Sequence, residues 1–166
     1  MDFYGFYTGK IFDAYKYLGA HTEKQGVTFR TFAPSASRIA LIGEFNDWQE
    51  WDLNKVSDGN FWECYVPQAK AGQMYKYRIY DRSGNAVEHC DPYGFGMELR
   101  PNSASIIRDM NEYKFKDSQW MQNRSDCRKK PLNIYEIHFG SFRKPSDKAD
   151  AWYNYEEMID ILIPYL

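Results

Sequence analysis

From Val27 onward, apolar and polar positions alternate with a period of two. Val27, Phe29 and Thr31 fall on one side of the chain, Thr28, Arg30 and Phe32 on the other, and Pro34 ends the run. Strict alternation of this kind predicts a half-buried β-strand. A second strand, Arg38 to Ile42, is stopped by Gly43. A third, Phe61 to Val66, is entered through the turn Asp58-Gly59-Asn60 and closed by Pro67. A fourth, Met74 to Tyr80, lies between Gly72 and Ser83-Gly84-Asn85. Short strands separated by Gly, Pro and Asn turn signals predict an antiparallel β-sandwich, and residues 21–110 are assigned to it.

The flanking segments have a different pattern. Residues 1–20 are aromatic and punctuated by Gly5, Gly9 and Gly19, and Phe12, Tyr15 and Leu18 are spaced as a short helical face closed by Gly19. Residues 111–130 show no period and end in the basic cluster Arg128-Lys129-Lys130, which reads as a solvated linker. Residues 131–166 then read as a strand, Asn133 to Phe139, followed by an amphipathic helix from about Tyr155. Asn154 and Glu157 stand at the N-cap and N3 positions of that helix, with Met158, Ile161 and Leu162 on one face and Pro164 as its stop. A lone parallel strand with its helix buries its apolar surface only against further units. The expectation is therefore the opening of a larger domain cut short. Without the rest of it, the apolar face of the last helix is expected to seek cover on the sandwich or in a second copy of the chain.

Composition narrows the classes of function. With 166 residues there is room for one domain and a remnant. The 14 Tyr, 11 Phe and 5 Trp favour an aromatic β core with rings to spare for a surface. A net charge of −2 with well-mixed signs gives no basic stripe for nucleic acid, so no nucleic-acid partner is expected. No apolar run approaches the ~20 residues that span a bilayer, and no secretory leader is seen at Met1-Asp2-Phe3-Tyr4. Cys64, Cys90 and Cys127 are odd in number, far apart and without CxxC spacing, which argues against disulfides and structural zinc. A cytoplasmic protein without membrane partner, metal or cofactor is expected.

Three groups of residues invite a chemical reading. In Gly43-Glu44-Phe45-Asn46-Asp47-Trp48, the turn formers leave Trp48 on a loop at a strand end, where an indole can stack on the apolar face of a sugar ring. Lys76, on the fourth strand, can hydrogen-bond to sugar hydroxyls. The bland alternatives are a core plug for Trp48 and a solvated lysine for Lys76. Glu136 and His138 are two apart on the expected strand and so share a face, but no nucleophile accompanies them and a structural role is preferred. His89, Cys90 and Asp91 are adjacent, a spacing that rarely converges on one ion, and Asp91-Pro92-Tyr93 reads better as a turn.

On the segments LIGEFNDW (41–48), GNFWECYVP (59–67) and MYKYRI (74–79), the sandwich resembles carbohydrate-binding module family 48, an immunoglobulin-like module that precedes the barrel of many α-glucan enzymes. The resemblance implies glucan contacts by Trp48 and Lys76. It also implies a second Trp on the turn after the lysine strand, but Asp81 to Ala86 holds no aromatic, so binding is expected to be weak. A second resemblance runs through YLGAH (17–21), CDPYGFGMELRPNSASII (90–107), WMQNR (120–124), KPLNIYEIHFGSF (130–142) and NYEEMIDILIPYL (154–166). In this order they resemble the N-terminal part of the 1,4-α-glucan (glycogen) branching enzymes of glycoside hydrolase family 13. That family cleaves an α-1,4-glucan through a glycosyl-enzyme and transfers the chain to a 6-hydroxyl, as a retaining transferase of glycogen biosynthesis. The resemblance implies that Ile134 to Phe139 and Tyr155 to Leu166 are the first strand and helix of a truncated (β/α)8 barrel. The family's nucleophile Asp and acid Glu come from later barrel strands, so they are expected beyond Leu166, and this chain is expected to catalyse nothing by itself. The alternatives are a free-standing glucan-binding or regulatory module, and the N-terminal part of a related debranching or trehalose-forming enzyme.

Overall fold

The computed structural model describes residues 1–124, 130–146 and 151–166. Cys127 and the Arg128-Lys129 part of the basic cluster lie outside these. The chain divides into two compact units, Met1–Phe115 and Lys116–Leu166.

In the first unit the four anticipated strands form with nearly the anticipated bounds, joined by five shorter ones. In chain order they are β1 (Gly19–Thr22), β2 (Val27–Phe32), β3 (Arg38–Gly43), β4 (Trp51–Asp52), β5 (Asn54–Val56), β6 (Phe61–Val66), β7 (Met74–Tyr80), β8 (Ala86–His89) and β9 (Ser105–Ile106). One sheet has the order β1-β2-β6-β5 and the other β4-β3-β7-β8, with β9 also paired to β7; every pairing is antiparallel. Alternation decides the layers. Val27, Phe29, Trp62, Cys64 and Val66 from the first sheet meet Ile39, Leu41, Tyr75 and Tyr77 from the second in one core. Burial pushes the Cys64 thiol up to about 12, so this cysteine is an inert packing group.

A buried polar knot ties β7 to the chain leaving the sandwich. The Tyr75 and Tyr77 hydroxyls donate to Asp91 Oδ2 at 2.7 and 3.3 Å, and Tyr93 N–H donates to Oδ1 at 2.8 Å. The Ser105 hydroxyl accepts from Asp91 N–H at 2.8 Å. Burial raises the Asp91 carboxyl above its usual range, although each of these donors pulls the other way. Asp91 thus faces the core, while His89 is exposed at the end of β8.

The N-terminal residues depart from the expected helical face. Phe12 is exposed, residues Ala14–Lys16 form a single 3-10 turn, and Gly19 opens β1 at a φ of +103°. A short helix, α1 (Phe3–Tyr7), is capped by Asp2, whose carboxylate accepts from Gly5 N–H at 2.9 Å. Phe3, Phe6 and Tyr7 lie edge-on against Phe32 and Phe61, with centroids 4.8 to 5.9 Å apart. Phe32 and Phe61 point away from the core, so α1 supplies the cover that the outer face of this sheet needs.

In the second unit the short helices are α2 (Ser118–Asn123), α3 (Phe139–Phe142) and α4 (Tyr155–Leu162). The capping box of α4 forms in both directions, Glu157 N–H to Asn154 Oδ1 at 2.9 Å and Asn154 N–H to Glu157 Oε2 at 2.8 Å. Met158 is buried, and the helix ends before Pro164. The strand expected over Asn133 to Phe139 does not form: residues 131–138 are irregular and Phe139 begins α3. A strand exists only through the ladder it shares with a neighbour, and among the described residues none runs beside this segment. Glu136 and His138 therefore share no strand face, and His138 Nδ1 instead bonds to the Ser141 hydroxyl at 2.9 Å. Part of the expected linker is likewise helical, in α2.

Phe61 is fully buried between α1 and its own sheet. Phe61→Ala is expected to cost the first unit about 3–5 kcal/mol in urea unfolding followed by near-ultraviolet circular dichroism. A loss under about 1 kcal/mol would mean that α1 is not part of the folded unit.

Candidate functional site

The loop that carries Trp48 is built on Gly43. A side chain there would meet the Met74 carbonyl oxygen and the Phe45 ring, each 2.7 Å from a Cβ, so the close approach demands glycine. A 3-10 turn, Glu44–Asn46, follows and plugs Phe45 into the core, 5.5 Å from the Phe29 ring. Glu44 reaches across to accept Met74 N–H at 2.8 Å, and the Asn46 side chain accepts Gly43 N–H at 3.0 Å. The chain then makes two consecutive left-handed residues, Asp47 at φ +52° and Trp48 at φ +58°. For Asp this is a common turn conformation. For Trp it costs of order 1–3 kcal/mol and persists only where surrounding bonds impose it. Trp48 N–H to the Gly43 carbonyl at 2.9 Å and Gln49 N–H to the Asn46 carbonyl at 3.0 Å are those bonds. Trp48 is left 39 % exposed, which removes the core-plug reading.

Lys76 reaches the same end of the sheet by register. Ile42 of β3 pairs with Lys76 of β7, and Gly43, whose carbonyl holds the Trp48 N–H, pairs with Tyr75. Tyr75 and Tyr77 face the core, so Lys76, Arg78 and Tyr80 stand on the outer face. Lys76 is not a free solvated lysine. Its Nζ lies 3.9 Å from Glu88 Oε2, and its side chain is only 23 % exposed.

Glu88 belongs to a line of alternating charges across this outer face. Arg78 donates to Glu88 at 2.6 Å and to Glu50 at 2.9 Å. Arg38 donates to Glu50 at 2.7 Å and also to Asp52. The Tyr80 hydroxyl donates to Glu50, and its ring lies 4.7 Å from the Arg38 guanidinium. Nothing in the sequence reading singled out Glu50, Arg78 or Glu88. The available signal was the period-two series Lys76, Arg78, Tyr80, with an acidic residue to meet it on each neighbouring segment. Beyond Tyr80, the turn is organised by the Asp81 carboxylate, which accepts from Ser83 and Asn85 N–H at 2.8 and 2.9 Å, and it presents no ring. The arrangement is a polar face of fixed donors and acceptors, with the exposed Trp48 on the loop at its strand end. It suits a neutral, hydroxyl-rich ligand with an apolar face.

The Tyr80 hydroxyl, then Arg78 and Arg38, hold the Glu50 carboxyl at about 2, below the ordinary 4.5. A carboxylate depressed in the folded state stabilises above its unfolded value, and that gain is lost as pH falls toward the folded one. Glu50→Gln is therefore expected to lower the thermal midpoint by a constant amount above pH 4.5, with the gap to wild type closing between pH 4.5 and about 2. A gap that does not change across this window would contradict the ion-pair assignment.

Residues 17–94 match the family described as carbohydrate-binding module 48 (isoamylase N-terminal domain). The whole chain is 38% identical to the 1,4-alpha-glucan branching enzyme GlgB of Fusobacterium nucleatum subsp. nucleatum, of which it covers 27%. It is 37% identical to that of Geobacillus stearothermophilus, again over 100% of this chain and 27% of the relative. Among solved structures, a putative alpha amylase from Salmonella typhimurium shares the fold with a TM-score of 0.52 at 19% identity, over 63% of this chain and 17% of that one. A maltotriose complex of a PulA mutant from Klebsiella pneumoniae gives 0.50 at 25% identity, over 60% of this chain and 12% of that one. The chain thus spans about a quarter of the length of the curated relatives it matches. Residues 17–94 thus match carbohydrate-binding module 48, and the chain as a whole is similar to about a quarter of the length of bacterial 1,4-alpha-glucan branching enzymes.

Proposed function

We propose that this chain is the glucan-binding and docking portion of a glycogen branching enzyme. The parent cleaves an α-1,4-glucan, forms a glycosyl-enzyme and transfers the chain to a 6-hydroxyl. The reading is supported by 37–38% identity to branching enzymes along the whole chain, including the segments outside the sandwich. Residues 131–166 open the catalytic barrel in this account, and the carboxylates that do the chemistry belong to later strands. The free thiols Cys64 and Cys90 support a reducing, cytoplasmic setting. Among the described residues no helix is long and apolar enough to cross a membrane.

For the module itself, the observation that carries the reading is Trp48, held at positive φ and exposed at the strand end that also presents Lys76. The indole stacks on the apolar face of a glucosyl ring while the ammonium donates to its hydroxyls. With no aromatic on the turn at Asp81 to Asn85, one platform serves alone and the affinity is low. Glucan contact here is a guiding interaction, secondary to docking on the barrel.

Isothermal titration of the chain with maltoheptaose is expected to show weak binding that falls by about tenfold or more in Trp48→Ala, the size of a hot-spot truncation. Equal affinities for the two proteins would sink the assignment.

A further inference from the structure

Trp48 and Lys76 come from different segments, and both must be held in place before a sugar arrives if one ring is to meet both. Trp48 sits on a loop whose far end is Glu50, and Lys76 has Glu88 as its ion-pair partner. One side chain touches both carboxylates. Arg78 gives one terminal nitrogen to Glu50 Oε1 at 2.9 Å and the other to Glu88 Oε1 at 2.6 Å. Being two residues from Lys76 on β7, it shares the outer face, directly opposite Glu88 in the register. Glu88 is diagonal to Lys76, near enough to draw its ammonium toward β8, at 3.9 Å. Glu50 is fixed from the other side by Arg38 at 2.7 Å and by Tyr80.

We propose that Arg78 is a positioning residue of the Trp48–Lys76 subsite, tying the Trp48 loop through Glu50 and the Lys76 ammonium through Glu88 into one preorganised unit. This rests on the glucan-binding reading of that subsite. A planar guanidinium can serve two carboxylates in fixed directions, which an ammonium at the same position cannot do. An isolated exposed ion pair adds little to stability, but here the line of pairs sets geometry, and the cost of ordering two long side chains is met before the ligand binds. Arg78 acts on the sugar only through the groups it holds. Its removal is therefore felt as a loss of affinity while the core, on the opposite face of β7, stays intact.

The test is a set of maltoheptaose titrations on wild type, Arg78→Ala, Arg78→Lys, Glu88→Ala, Lys76→Ala and the double variant Glu88→Ala/Lys76→Ala, each at low salt and in concentrated NaCl. Arg78→Ala and Glu88→Ala are expected to weaken binding by about threefold to tenfold, as for groups in one network, and Arg78→Lys is expected not to restore it. In the Lys76→Ala background, Glu88→Ala is expected to leave the remaining affinity unchanged. Because maltoheptaose is uncharged, salt has no direct pull on it. Wild-type affinity is expected to fall with salt as the pairs are screened, and that of Arg78→Ala, which keeps only the Lys76–Glu88 pair and the Arg38 pairs, to fall less. A merely structural role would show neither the salt dependence nor the cancellation. Wild-type affinity that depends on Trp48 but is matched by Arg78→Ala would overturn the inference alone. Additive losses in the double variant would do the same. No binding by wild type would overturn the inference and the glucan-binding reading together.

Discussion

The antiparallel pairing of β3 with β7 is the constraint on which the rest depends. Six residue pairs, from Arg38↔Tyr80 to Gly43↔Tyr75, set which side chains enter the core and which stand outside. Because strand side chains alternate, a slip of one residue would turn Tyr75 and Tyr77 out to water and drive Lys76 and Arg78 inward. The register is guarded at both faces. Inside, Tyr75 and Tyr77 require the Asp91 carboxylate for their hydroxyls, and losing it would leave buried donors unpaired. Outside, Arg78 meets Glu88 across the ladder and Glu50 from the loop. The same pairing that closes the sandwich therefore builds the face that carries the proposed sugar subsite.

Strain and order are concentrated where that face ends. Two left-handed residues in succession, one of them a tryptophan, are uphill for the backbone and are held by the Gly43 and Asn46 carbonyls. Phe45, two residues before the strained pair, is anchored in the core. The loop is thus a rigid bracket that offers Trp48 to solvent, the geometry expected of a stacking platform.

Much of this was legible in the sequence because period two is a strong signal. The strands at Val27, Phe61 and Met74 alternate between two faces, Arg38 to Ile42 is a short apolar run buried on both, and their ends are marked by Pro or Gly. The short strands β1, β4, β5, β8 and β9 were not legible. At two to four residues they are too brief for alternation to register, and they form because a longer strand offers them a free edge. The capping box at Asn154 and Glu157 was readable because it is local, whereas the strand expected at Asn133 to Phe139 depends on a partner no local pattern supplies. The site divided in the same way. Trp48 and Lys76 stood out by residue type and place, but Arg78 looked like any strand arginine until the register brought Glu50 and Glu88 to it.

The β3–β7 register and the strained loop bring Trp48 and Lys76 to the same strand end, the proposed sugar subsite. A crystal structure of the chain with maltoheptaose tests it most directly. A glucosyl ring is expected stacked on the Trp48 indole with a hydroxyl hydrogen-bonded to Lys76 Nζ, and the Arg78 bridge to Glu50 and Glu88 unbroken. Sugar bound elsewhere on the module, with Trp48 and Lys76 untouched, would contradict it.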